Sequence, residues 1–247
     1  MKVQVSILIP LFGSELSIRE VASLMSCNEH LNDFPITFIK GESNLNIESA
    51  MELCPSADFV SFDDRYFANR LNYTKLLLSE ELYSQFGWSK YLLINELSSE
   101  IRKNELAYWC RQGFDYIQGV PPERAKETYM DKVSMRINPA QYVGEHKESL
   151  QVYETLNGLS LRLVETCWSF VKSNKRSIAN FLNNTEDATN DSIFWEYYIN
   201  RWWPQLTTPN DIARSRFVQL EELTQQPAKG SEPFASAHAL IKRPLKA

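Results

Sequence analysis

Short continuous apolar runs alternate with helical periodicity through the first half of the chain. The runs are apolar and β-branched, as expected for strands that helices cover on both faces. They cover residues 3–10, 35–41, 57–62 and 90–97. Helical spacing predicts helices between them, at residues 14–31, 74–86 and 104–113. This alternation predicts an α/β fold with a mostly parallel central sheet and helices on both faces.

The second half of the chain is less regular. Its predicted elements are a strand at 114–122, a strand at 159–164, and helices at about 165–174 and 192–203. The polar stretch 123–151 between them indicates a loop or lid. All of these elements fit a single domain over 1–247, with halves of about 1–122 and about 123–247.

The composition is that of an ordinary folded protein. Of the 247 residues, 43% are hydrophobic and 23% are charged, so the chain can bury a core without disulfides or a structural metal. The formal net charge is -5. A chain with this negative net charge lacks the excess of basic side chains that attracts a phosphate backbone, which argues against nucleic acid as a partner.

The cysteines and the N-terminal run favour a cytoplasmic protein. The four cysteines are widely separated and form no CxxC pair, which favours reduced, buried thiols. The first apolar run is short and lacks a small-residue cleavage site, as is typical of a buried strand and not of a signal peptide. Since no segment reaches the ~20 apolar residues that a membrane helix needs, we expect a soluble cytoplasmic protein without a transmembrane segment.

Six short segments carry a family resemblance. They are VSILIPLF, FDDRYFANRLNYTKLLLSEELYSQF, KYLLINEL, ELAYWCRQGFDYIQGVP, NGLSLR and NDSIFWEYY. In this order they resemble a family of uncharacterised glycosyltransferase-like proteins of the GT-A type, over residues 1 to about 220. The resemblance implies a Rossmann-like GT-A domain with a nucleotide-binding half and an acceptor half. It also implies transfer of a sugar from a nucleotide-diphosphate-sugar donor to a hydroxyl of a glycan or small-molecule acceptor, as in bacterial surface polysaccharide synthesis.

The resemblance also points to a metal site after the fourth predicted strand. GT-A enzymes generally place an Asp-x-Asp motif there, whose carboxylates hold a divalent metal against the donor diphosphate. This chain has Glu96, Leu97 and Ser98 where the family has glutamine, leucine and aspartate. The resemblance therefore implies Glu96 as a ligand of Mn²⁺ or Mg²⁺ and as a donor contact, with Ser98 beside the donor. A surface acid at a strand end is the alternative for Glu96.

Later residues supply a candidate base and further ligands. The resemblance implies Asp191 as the base that takes the acceptor proton, although the family's aspartate aligns with Ser192 when no gap is allowed; a helix N-cap is the alternative. His238 is implied as a further metal ligand, and Lys242 as a diphosphate contact. For this tail, a disordered and weakly basic terminus is the alternative.

Other residues are predicted to line the donor. Pro10 ends the first strand. Tyr73 and Lys75, at the start of a helix, are predicted to stack on the base and to contact a phosphate, with core packing as the alternative for the tyrosine. Asn157 and Gly158 form a turn in which glycine lets the backbone approach a sugar closely.

Two more groups have structural interpretations. Asp63 and Asp64 precede the predicted metal strand and indicate a helix start. The aromatic cluster around Trp195 is either a platform for sugar rings or, as is more common at helical spacing, part of the core.

Three functional hypotheses follow. The first is a glycosyltransferase that uses a nucleotide sugar. The second is a catalytically degenerate domain that binds a sugar nucleotide or a protein partner, motivated by Ser98 and Ser192 in place of acids. The third is a transferase that stabilises the diphosphate by basic side chains such as Lys242 without metal. The donor, the acceptor and the oligomeric state stay open.

Overall fold

Two β-sheets organise the structure, a computed structural model that describes residues 5–13, 15–44, 47–119, 158–184, 191–199, 205–221 and 233–238. The strands are β1 (Val5–Leu11), β2 (Ile36–Gly41), β3 (Asp58–Phe62), β4 (Tyr91–Asn95), β5 (Ser99–Ile101), β6 (Tyr116–Gln118), β7 (Leu159–Leu163), β8 (Val218–Glu221) and β9 (Ala235–His238). Six of them form the main sheet in the order β3-β2-β1-β4-β7-β6. Strands β1 to β4 are parallel, and β7 is antiparallel to both of its neighbours.

Helices cover both faces of the main sheet. They are α1 (Ile18–Leu31), α2 (Glu48–Leu53), α3 (Arg70–Leu77), α4 (Glu80–Gln85), α5 (Leu106–Arg111), α6 (Val164–Ser173), α7 (Lys175–Asn184) and α8 (Asp211–Phe217), with a 3-10 turn at Asp64–Phe67. A helical turn at Asp191–Ile193 continues as a π-helical segment at Phe194–Tyr198. One core lies between the sheet and α1, α2, α5 and α8, and the other lies beneath α3, α4, α6 and α7. The predicted fold class is therefore confirmed.

Local sequence signals explain where several helices begin and end. The predicted helix at 14–31 begins later, at Ile18, because Ser17 and Glu20 form a capping box. The predicted helix at 74–86 is two helices, because the Ser79 side chain caps α4. Gly113 follows α5 with a φ of 75°, the left-handed conformation that suits glycine after a helix. Among the described residues, no helix combines the length and the hydropathy needed to span a bilayer.

A smaller sheet brings the C-terminal region back to the end of β4. Its order is β5-β9-β8, with β9 antiparallel to β5 and parallel to β8. The ladder pairs Ser99 with Ala237, so the next residues in register are Ser98 and His238. The sequence pattern predicted only a polar tail here, because residues 235–238 are small or polar and include no β-branched or aromatic residue. Residues 123–151, predicted as a loop or lid, lie outside the described ranges.

The strand order reverses next to β1. The connection through α1 carries the chain from β1 to β2 on one side, whereas β4 lies on the other side of β1. In open α/β sheets, such a reversal leaves a crevice at the carboxyl ends of the two strands, where ligands bind. The ends of β1 and β4 are adjacent in the ladder. By this rule, a ligand is expected to bind at the carboxyl ends of β1 and β4, next to Leu11 and Asn95.

Candidate active site at the carboxyl ends of β1 and β4

Four side chains near the carboxyl ends of β1 and β4 are in contact, each with the next. Phe12 follows β1 and is 45% exposed. Its ring packs nearly perpendicular to the Tyr73 ring, with centroids 4.9 Å apart. The guanidinium carbon of Arg70 lies 5.5 Å from the Tyr73 centroid, and Arg70 Nη1 is 2.5 Å from Oε2 of Glu96, which follows β4. This series of contacts thus has the exposed Phe12 ring at one end and the Arg70–Glu96 ion pair at the other.

The turn after β4 holds Glu96 in a fixed position. Asn95 Oδ1 accepts a hydrogen bond from the Leu97 amide at 3.0 Å, and the Glu96 amide donates to the Gly158 carbonyl at 2.7 Å. Leu97 has a φ of 58°, a left-handed conformation that costs a non-glycine residue roughly 1–2 kcal/mol. Strained backbone of this kind is concentrated at functional sites. The turn after β4 is therefore a candidate functional site.

Glu96 is a buried carboxylate. Its side chain is 9% exposed, so the alternative of a surface acid is wrong. Burial raises the pKa of its carboxyl group above the usual value, Arg70 opposes this shift, and the negative charge of Asp191 adds to it. The two acidic residues predicted from the sequence, Glu96 and Asp191, therefore share one electrostatic environment.

Asp191 forms a buried ion pair with a residue that the sequence analysis missed. Its Oδ2 lies 2.7 Å from Arg162 Nη2, and the two side chains are 7% and 1% exposed. Arg162 lies in β7, and it also donates to Ser160 Oγ at 3.2 Å and to the Tyr83 hydroxyl at 3.2 Å. The carboxylate of Asp191 is thus oriented by an arginine that main-sheet and helix residues hold in place.

A second buried acid–arginine pair lies one turn away. Glu196, in the π-helical segment, contacts both Arg214 and the amide nitrogen of the Gln118 side chain. Arg214 Nε donates to the Gln118 carbonyl at 3.2 Å, and the Tyr116 hydroxyl donates to Gln118 Oε1 at 2.7 Å. No motif predicted Glu196. A π-helical segment is often found at functional sites, but it cannot be read from composition.

Gly158 and Ser98 are in close contact. A Cβ atom built on Gly158 would lie 1.8 Å from Ser98 Oγ and 2.9 Å from Ser98 Cβ. The φ of Gly158 is not among the positive values, so glycine is needed here for space and not for its backbone conformation. Gly158 thus packs against the Glu96 turn, which the sequence did not predict, and the predicted contact of Gly158 with a sugar stays a prediction.

We expect Gly158→Ala to destabilise the protein by about 1–3 kcal/mol, the usual cost of overpacking. Ser98→Gly should remove most of this cost, because the next atom is Glu96 Cβ at 3.5 Å, an ordinary contact. Chemical denaturation of both single variants and the double variant measures the coupling. Equal costs of Gly158→Ala in the two backgrounds would show that Ser98 is not the obstacle.

The predicted donor contacts fall into different environments. Tyr73 is fully buried, so a stacking role for its own ring does not fit, and Phe12 offers the exposed ring instead. Lys75 is exposed in the last turn of α3 and donates to Asn72 Oδ1 at 3.0 Å. It was predicted to lie at the start of a helix, but α3 begins at Arg70, so that placement is wrong. Pro10 is buried within β1 and pairs with Ile39.

The C-terminal candidates are only partly described. His238 lies in β9, opposite Glu221 of β8, and the register places its backbone beside Ser98. This strand replaces the disordered terminus that was the alternative for His238. Asn157 and Lys242 lie outside the described residues.

The residues given structural interpretations have structural partners. Asp63 accepts a hydrogen bond from the Arg65 amide at 2.9 Å and caps the 3-10 turn. Asp64 accepts from the Ser43 amide at 2.9 Å. Trp195 is fully buried and stacks on Tyr116. The core interpretation is therefore confirmed for Trp195.

The cysteines are structural. All four are free and buried. Burial raises the pKa of Cys27, Cys110 and Cys167 to about 12 and that of Cys54 to about 11. Because the thiolate is the reactive and metal-binding form, none of them suits a nucleophile or a metal ligand at neutral pH.

The described residues do not fit a divalent metal. They contain no group of three or more His, Cys, Asp or Glu side chains that could hold one. Glu96 is paired with Arg70 and Asp191 with Arg162, so each carboxylate already has a cationic partner. Ser98 supplies no carboxylate where the resemblance led us to expect an aspartate.

The parallel sheet with its crevice beside β1 and the antiparallel β7 define a protein of the GT-A glycosyltransferase fold. A family model described as "Protein of unknown function (DUF5672)" matches residues 56–236. The match covers most of the chain, so the chain belongs to this family. No curated protein matches the chain.

Two solved structures illustrate the likeness. The galactosyltransferase LgtC, in complex with donor and acceptor sugar analogues, aligns with a TM-score of 0.50 and 10% identity over 94% of this chain and 86% of its own. The mannosyltransferase Ktr4p from S. cerevisiae, in complex with GDP, aligns with a TM-score of 0.39 and 13% identity over 71% of this chain. This chain spans 62% of the length of Ktr4p. At these identities, the likeness to LgtC shows the fold.

Proposed function

We propose that the protein transfers a sugar from a nucleotide-diphosphate-sugar donor to a hydroxyl of a glycan or small-molecule acceptor, such as a bacterial surface polysaccharide. The observation that carries the proposal is the line of Phe12, Tyr73, Arg70 and Glu96 across the crevice where ligands of open α/β sheets bind. The GT-A fold supports it, and so does the resemblance of the six sequence segments to glycosyltransferase-like proteins.

The donor would lie along this line. The exposed ring of Phe12 offers a face on which a base can stack. The diphosphate would then reach the turn that contains Glu96 and Ser98, with Gly158 packed against that turn. We include Asn157 and Lys242 as further donor contacts on the strength of the family resemblance. The same resemblance implies His238 as a metal ligand, and the register of β9 puts the His238 backbone next to Ser98.

Asp191 is the proposed base. In the reaction, the acceptor oxygen attacks the anomeric carbon, the bond from that carbon to the diphosphate oxygen breaks, and the acceptor proton passes to a carboxylate. Asp191 is the only one of the acids predicted as a base, and Arg162 fixes its orientation. We place this reaction in the cytoplasm, where reduced thiols such as the four buried cysteines persist.

A second candidate function is binding without turnover. The observation that favours it is that the two candidate acids, Glu96 and Asp191, are both ion-paired with arginines, which disfavours metal binding and proton acceptance by either acid. A domain of this kind would retain a sugar nucleotide, or a protein partner, and release no product. Detection of sugar transfer or donor hydrolysis with purified protein separates the two functions, because only a transferase consumes the donor.

We expect a nucleoside diphosphate to raise the melting temperature, because a ligand held at 100 times its Kd stabilises the folded state by about 2.7 kcal/mol. Phe12→Ala should weaken binding by roughly 1–3 kcal/mol, the usual worth of one base–aromatic stack. A thermal-shift titration with UDP, GDP, ADP and CDP measures both effects.

Phe59→Ala is the matched control for Phe12. Phe59 lies on edge strand β3 and is 56% exposed, comparable with 45% for Phe12, so its loss removes a similar ring away from the crevice. Binding should be unchanged in this variant. If no nucleotide shifts the melting temperature of the parent protein, the proposed function is wrong; if the two variants behave alike, Phe12 is not the base platform.

A further inference from the structure

The acidic residue expected to bind a metal is already neutralised by the protein. Arg70 Nη1 and Glu96 Oε2 are 2.5 Å apart, and the two side chains are 31% and 9% exposed. The carboxylate is therefore enclosed while part of the arginine side chain reaches solvent. A metal ion at Glu96 would have to displace the guanidinium and then sit beside its positive charge, which is costly in a partly desolvated site.

Arg70 is held in place on several sides. It is the first residue of α3, and the preceding Asn69 caps the helix by accepting from the Asn72 amide at 2.9 Å. The guanidinium carbon lies 5.5 Å from the centroid of the Tyr73 ring, which is fully buried. Tyr73 in turn packs against Phe12. Neighbouring residues therefore hold Arg70 in place between the exposed Phe12 ring and the end of β4.

This position corresponds to the middle of the proposed donor. A nucleotide sugar places its diphosphate between the base and the transferred sugar, and Arg70 lies between Phe12 and the Glu96 turn. A guanidinium is planar and can donate two parallel hydrogen bonds to a phosphate. Arginine also keeps its charge at any accessible pH.

We propose that Arg70 binds the donor diphosphate in place of a divalent metal, and that Glu96 positions Arg70 and does not ligate a metal. This inference rests on the proposed function. It assigns Arg70 a role that the Asp-x-Asp pattern does not contain, and it changes the role of Glu96 from ligand to support.

The two roles of Glu96 predict a different metal dependence for one substitution. If Glu96 positions Arg70, Glu96→Gln loses the charge that holds the guanidinium, so the affinity for UDP or GDP should fall by the same factor in EDTA and in MnCl₂; loss of a metal ligand would weaken binding only in MnCl₂. Arg70→Gln should weaken binding by about 10- to 100-fold, the range for a lost hydrogen bond to a charged group. Isothermal titration with the preferred diphosphate, in EDTA and in MnCl₂, measures both variants.

Controls keep a folding defect apart from a binding defect. Arg70→Gln leaves Glu96 without its ion-pair partner, so the double variant Arg70→Gln/Glu96→Gln, which removes both charges, should fold and still bind weakly. Arg176→Gln removes an exposed arginine on α7 and should bind like the parent. Melting curves of all variants establish that each is folded at the titration temperature.

The outcomes are distinct. Parent binding that is equal within about twofold in EDTA and Mn²⁺, lost in Arg70→Gln and weakened by the same factor in both media in Glu96→Gln, supports the inference. Binding that requires Mn²⁺ and is lost in Glu96→Gln overturns it and leaves the proposed function intact. Absence of nucleotide binding to the parent in both media overturns the proposed function as well.

Discussion

Arg162→Met is expected to lower the free energy of unfolding by about 3–5 kcal/mol, the cost of leaving one charge of a buried ion pair without its partner. Arg162 is 1% exposed and lies 2.7 Å from Asp191. The substitution also removes the donors to Ser160 and Tyr83. Methionine preserves much of the volume, so lost electrostatics dominate over a cavity. Urea denaturation followed by circular dichroism measures the change.

An exposed ion pair of the same length provides the matched control. Lys175 Nζ and Glu80 Oε1 are also 2.7 Å apart, but their side chains are 73% and 36% exposed. Lys175→Met should therefore cost only about 0–1 kcal/mol. The double variant Arg162→Met/Asp191→Leu removes both buried charges and should recover much of the lost stability. Similar costs for Arg162→Met and Lys175→Met would contradict the importance of burial.

Asp191→Asn is expected to lower kcat for sugar transfer by about 10²–10⁴-fold, the usual contribution of a general base. Asparagine keeps the shape of the side chain but cannot accept the acceptor proton. The Kd for the nucleoside diphosphate should stay within about threefold, because the base acts on the acceptor and not on the donor. Product detection by mass spectrometry over a time course measures the rate.

A purely structural Asp191 would give a different result. Asparagine cannot neutralise Arg162, so some loss of stability is expected in either case. The rate must therefore be expressed per folded protein, at a temperature well below the melting point of the variant. If kcat per folded molecule equals that of the parent, Asp191 only balances the charge of Arg162, and the base is another residue.

The main sheet was predictable because its signals are local. Strands β1, β2 and β4 are continuous apolar runs, and each is buried along its whole length, which is the pattern of a parallel sheet covered on both faces. The helix starts were less accurate. Ser17 and Ser79 are side-chain caps whose hydrogen bonds decide where α1 and α4 begin, and several nearby polar residues could have served as well.

The site was predictable only in part, because its defining contacts join distant residues. Glu96 and Asp191 were found through the family resemblance. Their partners, Arg70 and Arg162, lie 26 and 29 positions away in the chain, and no spacing rule connects an acid to an arginine across a sheet. Charge counting likewise gives no sign that these four charges form two ion pairs.

The small sheet was missed for a related reason. Strand β9 has the sequence Ala-Ser-Ala-His, which is short and lacks the β-branched and aromatic residues that predict a strand. It forms because β5 and β8 offer ladders on its two sides. Tertiary pairing therefore decided a structure that local propensity did not favour.

The central claim is that the crevice between the ends of β1 and β4 binds the donor's nucleoside diphosphate. A crystal structure of the protein with saturating UDP or GDP, whichever stabilises it more, tests this directly. We expect the base against Phe12 and the diphosphate within hydrogen-bonding distance of Arg70. Ordered nucleotide at another location, with this crevice empty, would contradict the account.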